Sequence, residues 1–184
     1  MIKLPRTIRL DQSDTFVFER PAEPGEWAVP GSFLFWDEDI AAFTGKRRAA
    51  FRAGFAGVRT LGHSTLVVVS EASEAEREDA VETLAGHIHE RFGAPSREAA
   101  RDAAREEIEV AASLSGHPVG TLIALHRRLE EGAIRERFRS LHAREPSSPG
   151  ADRLHAGARA FEFIEMDEPE EHADLLGLLG ARGS

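Results

Sequence analysis

The stretch GHSTLVVVSEASEAEREDAVETLAGHIHERF, from Gly62 to Phe92, is the part of the sequence that decides the fold. Leu66–Val69 is an unbroken apolar and β-branched run, which predicts a buried strand. Ser73 and Glu76 have the spacing of a capping box, in which each side chain binds a backbone amide at a helix start. Apolar side chains then recur every three or four residues, at Val81, Leu84, Ile88 and Phe92. We therefore expect a strand, a tight turn and an amphipathic helix here.

Further strands and helices are predicted on both sides of this unit. Upstream, alternating residues and turn signals predict short strands at Thr7–Leu10, Thr15–Glu19, Phe33–Trp36 and Val58–Leu61. Downstream, Ser96 caps an alanine-rich helix that extends to Leu114. The clearest hairpin signal follows, because Thr121–Leu129 and Ala133–Leu141 flank the turn at Glu130-Glu131-Gly132.

Together these elements predict a single α+β domain. We expect a mostly antiparallel sheet of about five to seven strands, with helices packed mainly on one face. A ferredoxin-like split unit is the alternative arrangement. The α+β core should span residues 1–142, and a flexible linker rich in proline, serine and glycine should span 143–157. Residues 158–184 should add a C-terminal strand and a short acidic helix that pack on the core.

Composition excludes several classes of function. The chain has 184 residues and no cysteine, so disulfides, thiolate nucleophiles and cysteine-ligated metals are excluded. Its net charge of −9 argues against a nucleic acid as partner, because a polyanion would be repelled on average. The N-terminal residues have no apolar core of a signal peptide, and no apolar run approaches membrane-spanning length. We therefore expect a cytoplasmic protein with no membrane partner.

Motifs for catalysis and metal binding are weak. His87 and His89 diverge on a helix, so no metal site is expected. Ser64 follows His63 but has no nucleophile elbow, and Thr44-Gly45-Lys46 lacks the earlier glycine of a phosphate loop. No catalytic residue and no cofactor is predicted, and we favour a protein that is not an enzyme.

Segregated charge is the strongest functional feature. Five bases and no acids lie between Lys46 and Arg59, and seven acids without Lys or Arg lie between Glu162 and Asp174. The hairpin region Arg127–Arg144 holds six arginines against three glutamates, which predicts one strongly charged sheet face. One interpretation is solvated faces that balance within the fold. The other is a basic concavity for an anionic ligand or for a partner's acidic segment, covered by the C-terminal tail.

The candidate ligand-binding residues combine these bases with nearby aromatic and histidine side chains. Trp27 lies in the proline- and glycine-rich loop Arg20–Gly31, either as a plug over the core edge or as a stacking surface. His126 is either a half-buried histidine or an acid–base group beside Arg128. The full set is Lys46, Arg47, Arg48, Trp27, Trp36, His126 and Arg128.

Five stretches together resemble an uncharacterised bacterial family that is known only as a domain of unknown function. They are RTIRLD (Arg6–Asp11), DTFVFE (Asp14–Glu19), EPGEWAV (Glu23–Val29), TGKRRAAFRAGF (Thr44–Phe55) and STLVVVSEA (Ser64–Ala72). The resemblance covers Met1–Leu141 and implies a soluble bacterial protein, without implying an activity, a cofactor or a catalytic residue.

The function predicted from the sequence is that of a noncatalytic accessory or interaction protein that uses charged faces. Its expected partners are a second copy of itself, as a homodimer, another protein, or a small anionic ligand. The alternative is a small-molecule binding protein or enzyme whose pocket lies between the sheet and the loop of residues 20–31.

Overall fold

The computed structural model describes residues 1–9, 14–143 and 161–164, which form two antiparallel sheets and four α-helices. The larger sheet contains, in spatial order, β1 (Ile2–Thr7), β5 (Leu66–Ala72), β6 (Leu122–Glu130), β7 (Ala133–Ala143) and β8 (Phe161–Ile164). The smaller sheet contains β2 (Ala28–Val29), β3 (Phe55–Gly57) and β4 (His63–Ser64). The helices are α1 (Asp14–Val17), α2 (Gly45–Ala53), α3 (Glu74–Arg91) and α4 (Arg97–Leu114). The predicted α+β domain with a mostly antiparallel sheet is confirmed.

The pair of helices α3 and α4 connects two neighbouring strands of the larger sheet. The chain reverses direction at each of the three connections from β5 through α3 and α4 to β6, so β6 enters the sheet antiparallel to β5. All named strand pairs in the described part of the chain are antiparallel, so the ferredoxin-like alternative, which needs a parallel pair, is wrong.

The unit from Gly62 to Phe92 forms as the sequence predicts. Val67 and Val69 of β5 are fully buried, because β5 is an inner strand of the sheet. Ser73 Oγ accepts a hydrogen bond from the Glu76 amide at 3.2 Å, and the Glu76 carboxylate accepts one from the Ser73 amide at 2.8 Å. The predicted capping box and the start of α3 are therefore confirmed.

The smaller sheet lies between two apolar cores. Val29 and Ala56 belong to the core under α3 and α4, which we call the helix-side core. Ala28 and Phe55, their neighbours in sequence, belong to the core on the larger sheet, which we call the sheet-side core. Since side chains alternate along a strand, β2 and β3 supply both cores at once.

Two predicted strands are helical instead. Asp14–Val17 is α1, so Phe16 is exposed while Phe18 is buried, and the two rings do not share a face. Ser32–Phe35 is a 3₁₀-helix that starts after Gly31, whose φ of 79° turns the chain. Short apolar runs have no periodicity that separates strand from helix, which explains both errors.

Two further strand predictions are displaced along the chain. β1 ends at Thr7, where a strand was predicted to begin, and residues 58–61 form a turn between β3 and β4. The predicted linker at 143–157 and acidic helix lie outside the described residues, apart from position 143 at the end of β7. β8 falls within the predicted C-terminal segment and pairs with β7.

Candidate functional site

The β6–β7 hairpin carries the charged residues on two different faces. Its turn places Glu131 and Gly132 at positive φ, as a two-residue hairpin turn requires. The register pairs Arg127 with Glu136 and His126 with Arg137. Directly opposite residues share a face and neighbours alternate, so Arg127 and Arg128 point to opposite sides. The prediction that Arg127 belongs to one charged face with the other arginines is therefore wrong.

Arg127 lies in the core and is fully buried. Its Nε donates to Glu136 Oε1 at 2.8 Å, and its Nη1 donates to the carbonyls of Phe51 at 2.9 Å and Gly54 at 3.1 Å. Its Nη2 donates to the Pro30 carbonyl. The guanidinium thereby binds carbonyls at the C-terminal end of α2, where a helix has unpaired acceptors and a negative dipole end.

Two other buried titratable groups lie near this arginine. Burial raises the pKa of Glu107 to about 7, and the charge of Glu136 acts in the same direction, whereas a hydrogen bond from the Gly31 amide opposes it. Burial lowers the pKa of His63 to about 4, helped by the charge of Arg127. We call Arg127, Glu136, Glu107 and His63 the buried charged cluster.

The buried charged cluster fixes the chain at Pro30 and Gly31. Arg127 donates to the Pro30 carbonyl and the Gly31 amide interacts with the Glu107 carboxyl, so two buried side chains contact adjacent peptide groups. A Cβ at Gly31 would lie 2.6 Å from the Ala56 Cβ, which only glycine avoids. The Arg127 contacts indicate that this side chain positions the loop, since a buried charge is tolerated only when it is well bonded.

Among the described residues, Ser64 Oγ contacts backbone carbonyls and no base. Its Oγ lies 2.7 Å from the Leu66 carbonyl and 3.0 Å from the Ile8 carbonyl, to which it donates. The neighbouring His63 ring instead packs between Phe35, at 5.8 Å, and Phe18, at 5.6 Å, measured between ring centroids. Because consecutive strand residues point to opposite sides, the geometry gives Ser64 a structural role.

The solvent-facing side of the hairpin concentrates positive charge. His126, Arg128, Arg137 and Arg139 are exposed there, and Arg52 from α2 is exposed close by. Partial burial lowers the pKa of His126, and the charges of these four arginines lower it further. Arg128 also pairs with Glu130 at 2.9 Å. We call His126 and the four arginines the basic face.

The remaining predicted ligand residues lie elsewhere. Lys46 and Arg48 are exposed on the first turn of α2, but Arg47 binds Glu38 through Nε at 3.1 Å and lies 4.7 Å above the Phe35 ring. Trp27 and Trp36 both pack against the helix-side core. The structure therefore brings His126 and Arg128 together with Arg52, whereas both tryptophans cover core edges.

The ring of Trp27 is covered by an arginine side chain. The Arg6 guanidinium lies 3.5 Å from the centre of its ring, and the same side chain donates to the Gly25 carbonyl at 2.7 Å. A stacked cation occupies the ring face that a ligand would use. Of the two interpretations, these contacts favour the plug over the core edge.

The loop of residues 20–31 is held by Glu26, which the sequence did not single out. Its buried carboxylate accepts hydrogen bonds from the amides of Glu23 at 2.9 Å, Arg59 at 3.0 Å and Thr60 at 3.0 Å. A Cβ at Gly57 would collide with this carboxylate. A ligand between the loop and the turn at residues 58–61 would have to displace these bonds.

The described part of the chain contains neither a cluster of metal ligands nor a membrane-spanning helix. His87 Nε2 lies 2.9 Å from the Arg59 carbonyl oxygen, so this ring nitrogen is within hydrogen-bond distance of the backbone. Across residues 1–9, 14–143 and 161–164, no three His, Cys, Asp or Glu side chains cluster as metal ligands would. In that same part of the chain, no helix combines the length and apolarity needed to cross a bilayer.

Fold and site together define a small α+β protein with a buried charged cluster on one side of a hairpin and a basic face on the other. Residues 1–151 match the model of the Family of unknown function (DUF6505), and the chain belongs to this family. Comparison with curated proteins and with solved structures gives no match. The resemblance seen in the sequence, to a family without an assigned function, is confirmed.

Proposed function

We propose that this protein is a noncatalytic interaction protein that binds an acidic segment of another protein through the basic face. The observation that carries the proposal is the group of four exposed arginines around His126, in a chain whose net charge is −9. On an acidic protein most of the surface repels anions, so a positive patch attracts them to one place. Guanidinium groups also match carboxylates in shape and can bind them through two hydrogen bonds.

The chemistry of the basic face favours binding over catalysis. Its arginines stay protonated at any physiological pH, so they cannot exchange protons with a substrate. Partial burial and the neighbouring arginines lower the pKa of His126, which disfavours its protonated form. Glu130, a carboxylate that contacts the face, is paired with Arg128. We further propose a bacterial cytoplasmic setting, with which the absence of cysteine is consistent, and a homodimer.

A labelled octaglutamate peptide tests the proposal, with octaglutamine as the uncharged control and fluorescence anisotropy as the measurement. The wild-type protein should bind octaglutamate and not octaglutamine. Arg52→Glu with Arg137→Glu should weaken binding about tenfold or more, because two attractive charges become repulsive.

The matched control is Arg91→Glu with Arg97→Glu, which changes net charge equally at the connection between α3 and α4. Equal loss in both double variants would show that only net charge matters and would overturn the proposed face. Absence of octaglutamate binding to the wild-type protein at low salt would overturn the proposed function.

The second candidate is a small-anion binding protein that uses the same arginines. It is favoured by the hairpin register, which sets Arg137 opposite His126, with Arg128 and Arg139 two positions along the same face. Calorimetric titration with citrate separates the two: citrate binding without octaglutamate binding would replace the first candidate by the second.

A further inference from the structure

The side of the larger sheet that carries the basic face also carries a row of apolar residues. Along β5 and the first half of β6, buried positions alternate with more accessible ones. The accessible apolar residues, which we call the apolar strip, are Leu66, Val68, Leu122 and Ala124. The register sets Leu66 opposite Ala124 and Ala124 opposite Arg139. Because directly opposite residues share a face, the apolar strip and the basic face form one continuous surface.

The apolar strip is separate from the apolar interior. The buried residues that alternate with it, among them Val67 and Ile123, pack in the sheet-side core on the other side of the sheet. Among the described residues, the strip belongs neither to that core, nor to the helix-side core, nor to the core around Phe35. Its four side chains are half-buried, so each keeps part of its apolar surface in water. A partner that covers them gains free energy in proportion to the apolar area that it buries.

Bases and apolar residues follow one another in a fixed order along β6. From the hairpin turn inward, the residues on this face are Arg128, His126, Ala124 and Leu122. Successive positions on one face of a strand are about 6.6 Å apart, so the row is about 20 Å long. An extended peptide segment of eight residues measures about 26 Å, which is long enough to contact both ends of the row.

From this order we infer that the partner segment joins acidic residues to apolar residues, and that its apolar part covers the apolar strip. The inference rests on the proposed function, because the arginines of the basic face bind the acidic part. Charge complementarity places the acids near Arg128 and Arg137, and the continuous surface then places the adjoining residues over Ala124 and Leu66. A purely acidic segment would leave the strip in water, and a purely apolar segment would offer no charge to the arginines.

Two labelled peptides test the inference by fluorescence anisotropy with the full chain. The acidic–apolar peptide has four glutamates followed by four leucines, and in the acidic–polar peptide glutamines replace the leucines. The wild-type protein should bind the acidic–apolar peptide about tenfold more tightly, because only its leucines gain by covering the strip. Leu66→Thr with Val68→Thr should reduce this ratio to about twofold or less, because the β5 part of the strip becomes polar. Threonine is favoured in strands, so the sheet should be retained.

The matched control is Val119→Thr with Leu129→Thr, which replaces the same two residue types outside the apolar strip. Val119 is 52% exposed and Leu129 is 41% exposed, so both are accessible. The control should keep the tenfold ratio, because neither residue lies beside Leu66 or Ala124 in the register. Arg52→Glu with Arg137→Glu should instead weaken the binding of both peptides by about the same factor, because both carry the same acids.

The outcomes separate the inference from the proposed function. Equal affinities of the wild-type protein for the two peptides would overturn the inference and leave the proposed function standing. If the wild-type protein bound neither peptide at low salt, both would fall. An unchanged ratio in Leu66→Thr with Val68→Thr would show that the leucines bind elsewhere and would also overturn the inference.

Two further results with Leu66→Thr and Val68→Thr combined would contradict an apolar strip that contacts a partner segment. Loss of acidic–polar binding would show that the strip supports the fold, since this peptide has no leucines. Conversion of a wild-type dimer into a monomer, measured by analytical ultracentrifugation, would show that a second copy of the chain covers the strip.

Discussion

Arg127 and Arg128 are neighbours in the sequence, yet they lie in opposite environments. The Arg127 side chain is 0% exposed and binds a carboxylate and several backbone carbonyls, whereas the Arg128 side chain is 47% exposed. The difference comes from the hairpin register, which sends adjacent residues to opposite faces. A cluster of arginines in a sequence can therefore contain both a core anchor and a binding residue.

The two faces also follow different rules for charge. A buried charge loses its hydration, so it is stable only when every polar group around it is bonded. Exposed charges keep their hydration, so the basic face can hold four arginines of one sign at low cost. Substitutions on the core side of the hairpin should therefore mainly lower stability. Substitutions on the solvent side should mainly weaken binding.

Replacement of the two neighbouring arginines should give the largest contrast. Arg127→Met should lower the free energy of unfolding by about 3–5 kcal/mol, because it leaves the Glu136 carboxylate and buried carbonyls unpaired. Arg128→Met should change it by less than about 1 kcal/mol, because its ion pair is exposed. Urea unfolding followed by circular dichroism measures both values.

The double variant Arg127→Met with Glu136→Gln is the control for this contrast. It should be less destabilised than the two single losses add up to, since no carboxylate then stays unpaired. Similar losses for Arg127→Met and Arg128→Met would show that the two faces do not differ as described.

The buried charged cluster holds two groups whose titrations oppose each other. The pKa of Glu107 is raised from 4.5 to about 7, so the stability that its protonated form contributes is lost as pH rises through that window. The pKa of His63 is lowered from 6.5 to about 4, so the stability that its neutral form contributes is lost as pH falls through that window. In the wild-type protein the two slopes therefore offset each other in the overlapping range.

Replacing either Glu107 or His63 should reveal the pH dependence of the free energy of unfolding that the other group causes. Relative to wild type, Glu107→Gln should lose about 2–3 kcal/mol of stability as pH falls from neutral to about 4.5. His63→Gln should gain a similar amount relative to wild type as pH falls over about 6.5 to 4. Urea unfolding at several pH values measures both differences, and parallel profiles for the three proteins would contradict the assignment.

Ionic strength should have a smaller effect that also distinguishes the two faces: it should change binding on the basic face more than stability on the core side. Raising ionic strength from about 0.05 M to about 0.5 M should weaken octaglutamate binding about tenfold, because exposed charges are screened. The stability difference between wild type and Arg127→Met should change far less, because the Arg127 side chain is fully buried and that of Glu136 is only 20% exposed. Anisotropy and urea unfolding in the same buffers check this, and a salt-independent affinity would argue against a binding site on the basic face.

The local elements could be predicted from the sequence where strong local signals agree. The capping box at Ser73, the apolar stripe of α3 and the turn at Gly132 each depend on residues a few positions apart. The 3₁₀-helix at Ser32–Phe35 could not, because its geometry depends on contacts of Phe35 with rings distant in the sequence. Local patterns contain no information about such tertiary contacts.

The candidate site could be predicted in part. His126 and Arg128 were selected from the sequence, but Arg52 joins them only because α2 contacts β6 in the fold. The burial of Arg127 had a signal, since it follows Ile123 and Leu125 in steps of two. The burial of Glu107 also had one, because it lies on the alanine stripe of α4. A charged residue that occupies a position in the apolar repeat of a strand or helix therefore indicates a buried anchor.

The smallest effect that still distinguishes the faces concerns Arg52 and His126. Partial burial lowers the pKa of His126 and the charge of Arg52 lowers it further, so Arg52→Gln should raise this pKa. The same variant should change stability by less than about 0.5 kcal/mol, because the replaced charge is exposed. Proton NMR titration of the histidines measures the shift, with His63 as the internal control that stays unprotonated near neutral pH. An unmoved His126 would mean that α2 does not contribute to the basic face, which would then reduce to the three arginines of the hairpin.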